Sequence, residues 1–117
     1  MTREITLTDL LLEKAKREEK YFKNYLDYGK IIKKEVIKLL GEAKVYIFGS
    51  ILKKDEIPQD IDILIVSGKL AESDARTEAQ VKIRKKIGIF SPFELHFATP
   101  EEYDNWWKYF LKKKLEI

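Results

Sequence analysis

The hydrophobic positions of the first third of the chain follow a helical period. Two helices are predicted over about residues 6–40, where apolar side chains recur at helical spacing. Thr6 or Thr8 can cap the first helix, and Gly29 is expected to bend or break it. Gly41 is a C-terminal stop for the second helix. This part of the chain is therefore predicted to be an N-terminal helical extension.

Three short hydrophobic runs further along the chain have the composition of β-strands. They are KVYIF (44–48), DIDILIV (60–66) and FELHFA (93–98), all rich in β-branched or aromatic residues. Helices are predicted over 72–87 and from 99 to about Lys113, the latter with a Thr-Pro-Glu-Glu start. The order helix, helix, strand, strand, helix, strand, helix predicts an α/β (α+β) fold with one small sheet and flanking helices.

Length and composition narrow the possible functions. The 117 residues suggest a single domain over 1–117. The absence of cysteine excludes disulfides and thiolate chemistry, and a single histidine, His96, excludes a multi-histidine zinc site within the chain. There is neither a membrane-length apolar run nor a signal peptide, so a cytoplasmic protein is expected. The net charge of +3 permits a phosphate-bearing ligand, and nucleic acid is not expected as the main partner.

Two aspartates stand at the start of the second strand. Because side chains alternate between the faces of a strand, Asp60 and Asp62 are expected on one face and Ile61 on the other. Carboxylates this close repel each other, and a bound divalent cation removes that repulsion. Oxygen ligands without cysteine or a second histidine favour Mg²⁺, with Mn²⁺ as the alternative. A solvent-facing strand edge is the competing interpretation of this pair.

A Gly-Ser pair directly follows the first strand. Gly49 permits a tight turn with close backbone approach, and Ser50 can cap a short helix whose free N–H groups bind phosphate. With the two aspartates, the pair describes a site for a metal–nucleoside triphosphate, although an ordinary strand-to-helix turn is the alternative. Glu94, the lone acid of the third strand, is either an exposed residue or the third carboxylate that two-metal phosphoryl transfer requires.

The pattern hydrophobic-Gly-Ser, nine residues, Asp-hydrophobic-Asp and a later strand acid resembles the DNA polymerase β nucleotidyltransferase superfamily. The size is similar to that of its minimal nucleotidyltransferases, and FELHFATPEEYDNWW resembles an archaeal branch of them, so the likeness covers nearly the whole chain. It implies the polymerase β-like nucleotidyltransferase fold with a mixed β-sheet. It also places Gly49 and Ser50 at the triphosphate. Asp60 and Asp62 become metal ligands, and Glu94 a third ligand or the base for the acceptor hydroxyl.

The turn after the Gly-Ser pair departs from the family pattern. Related sequences usually continue with a basic residue and then glycine, whereas here Lys53 is followed by Lys54. Either lysine is a candidate for contact with a phosphate of the nucleotide. The missing glycine keeps open a catalytically weak or inactive module that binds a nucleotide or a partner.

The resemblance also implies a reaction and a partner. The leading hypothesis is Mg²⁺-dependent transfer of a nucleoside monophosphate, AMP from ATP, to a hydroxyl group, with release of pyrophosphate. Similar minimal proteins are often paired with a separately encoded helical HEPN protein of toxin character. The resemblance implies an antitoxin that AMPylates a tyrosine of such a partner. A small molecule or RNA is the alternative acceptor, and a homo-oligomer is left open.

Other conspicuous residues have more than one interpretation. His96 shares a predicted strand face with Glu94, and a structural role is favoured over contact with a nucleotide or a metal-bound water. The aromatic residues of the first and last helices are expected mainly to pack against the sheet. Neighbours such as Trp106 and Trp107 cannot both face the same core, so one of them should be exposed and available to a partner.

Overall fold

One mixed sheet organises the chain in the computed structural model, which describes residues 4–117. The strands are β1 (Lys44–Phe48), β2 (Ile61–Val66), β3 (Phe93–Ala98) and β4 (Lys114–Glu116). The helices are α1 (Leu7–Lys23), α2 (Tyr25–Leu40) and α3 (Ala75–Ile87), with short 3-10 helices at Ser50–Leu52 and Gly68–Ala71. The C-terminal helix consists of α4 (Pro100–Glu102), a π-helical turn (Tyr103–Trp107) and α5 (Lys108–Phe110). The spatial order is β3-β2-β1-β4, with only the β2–β3 pair parallel, which confirms the expected single mixed sheet with flanking helices.

The N-terminal helices are divided at a different residue from the one expected. Thr6 and Asp9 form a reciprocal capping box, each side chain accepting the other's backbone N–H at 3.1 Å, which confirms Thr6 as the cap. α1 ends at Lys23 with Asn24 as its C-cap, so the expected break at Gly29 is wrong. Gly29 is buried within α2, where an added Cβ would lie 2.9 Å from Ile117 Cδ1. Its missing side chain makes room for packing and does not end the helix.

Hydrophobic side chains fill both faces of the sheet. On one face, Ile61, Ile63 and Ile65 of β2 are fully buried beneath α2 and α3. On the other face, Leu64 and Val66 are buried beneath the C-terminal helix. Strand alternation therefore separates the two cores as the sequence predicts. Burying an isoleucine side chain completely stabilises the fold by roughly 1.5–3 kcal/mol, so β2 is a main source of stability.

The strand register brings three distant segments together at one end of the sheet. Phe48, the last residue of β1, pairs with Asp62 in the antiparallel ladder, and Asp62 pairs with Glu94 in the parallel ladder. The end of β1 consequently lies beside the start of β2, with the start of β3 on its other side. Residues that are far apart in sequence meet at this end of the sheet.

The C-terminal segment contains one strand that the sequence pattern does not predict. Thr99 and Glu102 form a capping box at the start of the C-terminal helix, as expected from the Thr-Pro-Glu-Glu run. The helix ends at Phe110 and not near Lys113, and β4 then pairs with the free edge of β1. A three-residue segment carrying two charges gives little local strand signal, and it becomes a strand because β1 offers it a partner. α3 also begins later than expected, at Ala75, after the second 3-10 helix.

α1 extends away from the sheet and packs mainly through its C-terminal half. Its Tyr21 ring lies 6.0 Å from the Phe93 ring and packs against the core beneath α2 and α3, as expected for the aromatic residues of this helix. Near the other end, Leu11 and Leu12 are 57% and 58% exposed. This projection fits the elongated dimensions of 59 × 31 × 22 Å. Within residues 4–117, no helix combines the length and apolar character needed to cross a membrane.

Candidate active site

Two carboxylates and one imidazole converge where β1 ends and β2 and β3 begin. Asp62, Glu94 and His96 offer metal-ligating atoms that all lie within 4.8 Å of one another. The Nε2 atom of His96 is 3.2 Å from Asp62 Oδ1 and 3.8 Å from Glu94 Oε1. The Asp62 side chain is 19% exposed and that of Glu94 57%, so the cluster runs from a sheltered carboxylate to an open one. This donor set can hold a divalent ion at a site that is accessible from the Glu94 side.

Gly49 allows the backbone to pass directly against the Asp62 carboxylate. It has a φ of +87°, which residues with a Cβ atom rarely adopt. An added Cβ would lie 2.2 Å from Asp62 Oδ2. The 3-10 helix that starts at Ser50 follows immediately, closed by a 3.0 Å bond from the Lys53 N–H to the Ser50 carbonyl. The local chain therefore has the tight turn and close approach that the Gly-Ser pair predicts.

The remaining predicted site residues lie outside the convergent cluster. Asp60 precedes β2, is exposed, and is not among the residues whose ligating atoms meet. Lys53 lines a cavity beside Asp62, and its Nζ lies 3.4 Å from Glu56 Oε1. Lys54 is exposed and does not line that cavity. The structure thus brings together Asp62 and Glu94, two of the three predicted carboxylates.

His96 lies closer to the predicted metal-binding carboxylates than the sequence suggested. Its ring centroid is 5.4 Å from that of Phe48 and 5.5 Å from that of Trp107, which is the structural role that was favoured. The same ring directs Nε2 at Asp62, so His96 also belongs to the cluster. The available signal was its position two residues after Glu94, which puts both side chains on one strand face.

A cavity of about 690 Å³ opens beside the cluster. It is lined by Phe48, Gly49, Lys53, Asp62, His96, Trp106, Trp107, Phe110, Leu111, Lys112 and Lys113. The volume falls within the roughly 300–1,000 Å³ that is typical of ligand sites. Cationic, anionic and aromatic groups line the same space, which suits a ligand with a charged part and a flat apolar part.

The π-helical turn accounts for two adjacent tryptophans at this cavity. The Lys108 N–H donates to the Tyr103 carbonyl, an i→i+5 bond that widens the turn. Trp106 and Trp107 both line the cavity, with ring centroids 4.8 Å apart. As expected, the two neighbours do not both face the core, because Trp107 packs against the cluster beneath the C-terminal helix and Trp106 does not. The expectation that one stays available is confirmed, since Trp106 is 55% exposed.

Two basic side chains fix the segments that border the site. Arg84 of α3 donates to the Phe93 carbonyl at the start of β3, next to Glu94, and burial lowers the pKa of Arg84. Lys113 Nζ donates to the Leu52 carbonyl at 2.9 Å, which joins the chain after the C-terminal helix to the Gly-Ser turn. These contacts hold the elements that carry the cluster in place.

A second cavity, of about 630 Å³, lies at the other end of the same sheet face. Its walls include Tyr46 and Tyr103, whose stacked ring centroids are 5.6 Å apart. Burial, with a smaller contribution from a hydrogen bond to Tyr103, raises the pKa of Tyr46 to about 12. None of the predicted site residues lines this cavity, so it is separate from the candidate active site.

Comparison with known proteins identifies the family. The family model for the nucleotidyltransferase domain matches residues 30–116. A crystal structure described as a candidate nucleotidyltransferase is 34% identical, with a TM-score of 0.64, over 75% of this chain and 95% of that one. The chain therefore belongs to the nucleotidyltransferase domain family.

A more distant structure agrees at the level of the fold. It is a candidate nucleotidyltransferase from Sulfolobus solfataricus, 23% identical with a TM-score of 0.54, over 90% of this chain and 83% of that one. Comparison with curated proteins finds no match. The sheet with its flanking helices is thus a nucleotidyltransferase fold, as the spaced motifs suggested.

Proposed function

We propose that this protein transfers a nucleoside monophosphate, AMP from ATP, to a hydroxyl acceptor in a Mg²⁺-dependent reaction. The observation that carries the proposal is the convergence of Asp62 with Glu94, with the Gly49 backbone against Asp62, beside a cavity of about 690 Å³. Membership of the nucleotidyltransferase domain family supports nucleotide transfer as the reaction in which these groups take part.

The donor set fits the divalent ion that the family implies. Mg²⁺ commonly uses one or two protein carboxylates together with substrate phosphates, and Asp62 and Glu94 supply such carboxylates. Asp60, exposed directly before β2, is the third candidate ligand. When bound, the ion would offset the charge of the triphosphate and lower the pKa of the acceptor hydroxyl.

The protein's own groups position the reactants. The backbone at Gly49 and Ser50 binds the triphosphate, and the ammonium groups of Lys53 and Lys54 offset its charge. The acceptor oxygen attacks the α-phosphorus in line with the bond to the β-phosphate, and pyrophosphate leaves. Glu94, the most exposed acid of the cluster, helps to hold the ion or accepts the proton of the acceptor hydroxyl.

The proposed acceptor is a tyrosine of a separately encoded helical HEPN-type protein, which makes this chain an antitoxin. The whole chain, 1–117, acts as one catalytic domain with its N-terminal helical extension, in the cytoplasm. Two features favour an acceptor brought by another protein: the cluster is open at Glu94, and Trp106 is 55% exposed beside the cavity. The partner closes the site by docking on Trp106.

The test uses nucleoside triphosphates labelled at the α-phosphate, with Mg²⁺, with and without the candidate partner. The double variant Asp60→Asn/Asp62→Asn should reduce transfer to background, because the ion loses two of its three proposed carboxylate ligands and Glu94 alone remains. Asp55→Asn is the matched control, since Asp55 is also exposed and does not line the cavity. Undiminished transfer by the double variant would contradict the proposal. Label found only on RNA or on a small molecule would show that the acceptor is that molecule and not a tyrosine of the partner.

The second candidate function is a binding module with little or no transfer. Lys54 favours it, because the family usually has glycine at this point of the turn. ATP binding without any labelled product would establish this alternative. Lys54→Gly should then restore transfer, if the turn geometry is what limits the reaction.

A further inference from the structure

The imidazole of His96 is held with one nitrogen directed at both carboxylates. Its ring packs between Phe48 and Trp107, with centroid distances of 5.4 Å and 5.5 Å. Nε2 lies 3.2 Å from Asp62 Oδ1 and 3.8 Å from Glu94 Oε1. The packing fixes the ring, so the direction of Nε2 is built into the fold.

We propose that His96 Nε2 is a direct ligand of the divalent ion held by Asp62 and Glu94. This nitrogen makes the site bind first-row transition-metal ions such as Mn²⁺ more tightly than Mg²⁺. The inference rests on the proposed function, because the ion is the one that nucleotide transfer would use. It extends that function by naming the class of ion.

The separations between the ligating atoms fit a shared ion. Two ligands about 2.1 Å from one octahedral ion are roughly 3 Å apart at a right angle and roughly 4 Å apart when nearly opposite. The distances of 3.2 Å and 3.8 Å from Nε2 fall within this range. All three ligating atoms lie within 4.8 Å of one another, and opposite ligands of such an ion are roughly 4.2 Å apart, so a bound ion requires the side chains to move slightly closer together.

The mixed nitrogen and oxygen donors decide which ion is favoured. Mg²⁺ is a hard ion that prefers an all-oxygen environment, whereas imidazole is a common ligand of first-row transition metals. His96 is the only histidine of the chain, and it lies at this cluster. The competing role for His96 is a hydrogen bond that orients Asp62 while an ion binds to the carboxylates alone. That role predicts no nitrogen contact and no preference between ions that depends on the His96 nitrogen.

Pulsed EPR of Mn²⁺ added to the full chain, without nucleotide, separates these two roles. Bound Mn²⁺ should show hyperfine coupling to one imidazole nitrogen, and the coupling should disappear in His96→Gln. Bound Mn²⁺ without nitrogen coupling in the wild-type protein would overturn the proposal, and so would failure of Mn²⁺ to bind.

A matched pair of variants tests the ion preference. His96→Gln should lower Mn²⁺ affinity at least roughly 10-fold, with a smaller effect on Mg²⁺. Loss of a residue that only hydrogen-bonds to a metal ligand already lowers affinity by about this factor. His96→Asp creates an all-carboxylate site and should favour Mg²⁺ relative to His96→Gln. Both variants lose the ring packed against Phe48 and Trp107, so the loss of packing is common to them. His96→Asp also adds a third carboxylate and should unfold at a lower midpoint without ion, so ion affinities are compared at a temperature where both variants are folded. Equal losses for both ions in both variants would overturn the inference.

The two proposals fail in different experiments. Mg²⁺-supported transfer of α-label with no nitrogen coupling to Mn²⁺ would reject the His96 ligand and leave the proposed function standing. Nitrogen coupling with no transfer to any acceptor would establish the ion site and reject the proposed function.

Discussion

At the scale of single residues, the contact between Gly49 and Asp62 explains why the Gly-Ser turn and the strand acid occur together. The backbone of Gly49 occupies the space that an added Cβ would share with the Asp62 carboxylate, at 2.2 Å from Oδ2. Gly41 also has a positive φ, of +73°, but an added Cβ there would meet no atom within 4 Å. A comparison of substitutions at the two glycines therefore distinguishes the effect of backbone strain alone from the effect of displacing Asp62.

Alanine at each of these glycines gives a paired test. Both Gly49→Ala and Gly41→Ala should lower the free energy of unfolding by about 1–3 kcal/mol, because alanine is strained at positive φ, and the loss should be larger for Gly49→Ala, whose added Cβ also meets Asp62. Only Gly49→Ala should also displace Asp62, reducing Mn²⁺ binding and nucleotide transfer. Chemical denaturation, ion titration and label transfer measure these effects. Wild-type transfer by Gly49→Ala would show that the close contact is not needed.

Local patterns predicted part of the cluster and missed the rest. The spacing from the Gly-Ser pair indicated Asp62, and the lone acid in a strand indicated Glu94. The cluster then includes His96 and not Asp60, although alternation puts Asp60 and Asp62 on one face. β2 begins only at Ile61, and the pairing of β2 with β3 decides which side chains meet. That pairing is tertiary information which the local pattern does not contain.

At the scale of elements, the C-terminal helix has both a structural and an exposed tryptophan. Trp107 packs against the second core, with its ring centroid 6.0 Å from that of Phe48. Trp106 stacks on Phe110 at 5.1 Å, and both of these rings are more than half exposed. The π-helical turn thus presents an aromatic surface at the cavity while keeping the helix anchored.

The two tryptophans should respond differently to alanine substitution. Trp107→Ala should destabilise the fold by about 2 kcal/mol or more, because it removes a ring packed on the sheet. Trp106→Ala should change stability by less than about 1 kcal/mol and weaken partner binding by at least roughly 2 kcal/mol. Thermal unfolding and calorimetric titration with the partner measure the two quantities. Unchanged partner affinity in Trp106→Ala would place the docking surface elsewhere.

The elements that sequence patterns mispredicted are those set by distant partners. Gly29 looks like a helix breaker, but it provides space for Ile117 and Ile47. β4 has little strand signal of its own, and it forms because the edge of β1 is available. The three longer strands and the helix starts with clear caps, such as the boxes at Thr6 and Thr99, were predicted correctly, whereas the ends of the same helices were not.

At the scale of the whole molecule, the packed core and the protruding helix are formed by different parts of the chain. The sheet is covered by helices on both faces, whereas the N-terminal half of α1 carries exposed leucines. Family membership accounts for residues 30–116, which contain the sheet and both cavities but not α1. The sheet and the helices packed on it therefore form the stable unit that positions the site.

Substitutions in the two regions should differ in their effect on stability. Ile63→Ala should lower the free energy of unfolding by about 2–5 kcal/mol, because Ile63 is fully buried. Leu11→Gln should change it by less than about 0.5 kcal/mol, because Leu11 is 57% exposed. Urea denaturation of both variants makes the comparison. A large loss in Leu11→Gln would show that α1 packs more closely in solution.

The most direct measurement of the central claim follows the two ends of the triphosphate separately. ATP labelled at the α-phosphate or at the γ-phosphate is incubated with Mg²⁺, the partner, and either the wild-type protein or Asp62→Asn. Nucleotidyl transfer predicts α-label on the acceptor and γ-label in released pyrophosphate, with both products lost in Asp62→Asn. Label from the γ-phosphate on the acceptor, or equal α-label transfer by Asp62→Asn, would contradict the account.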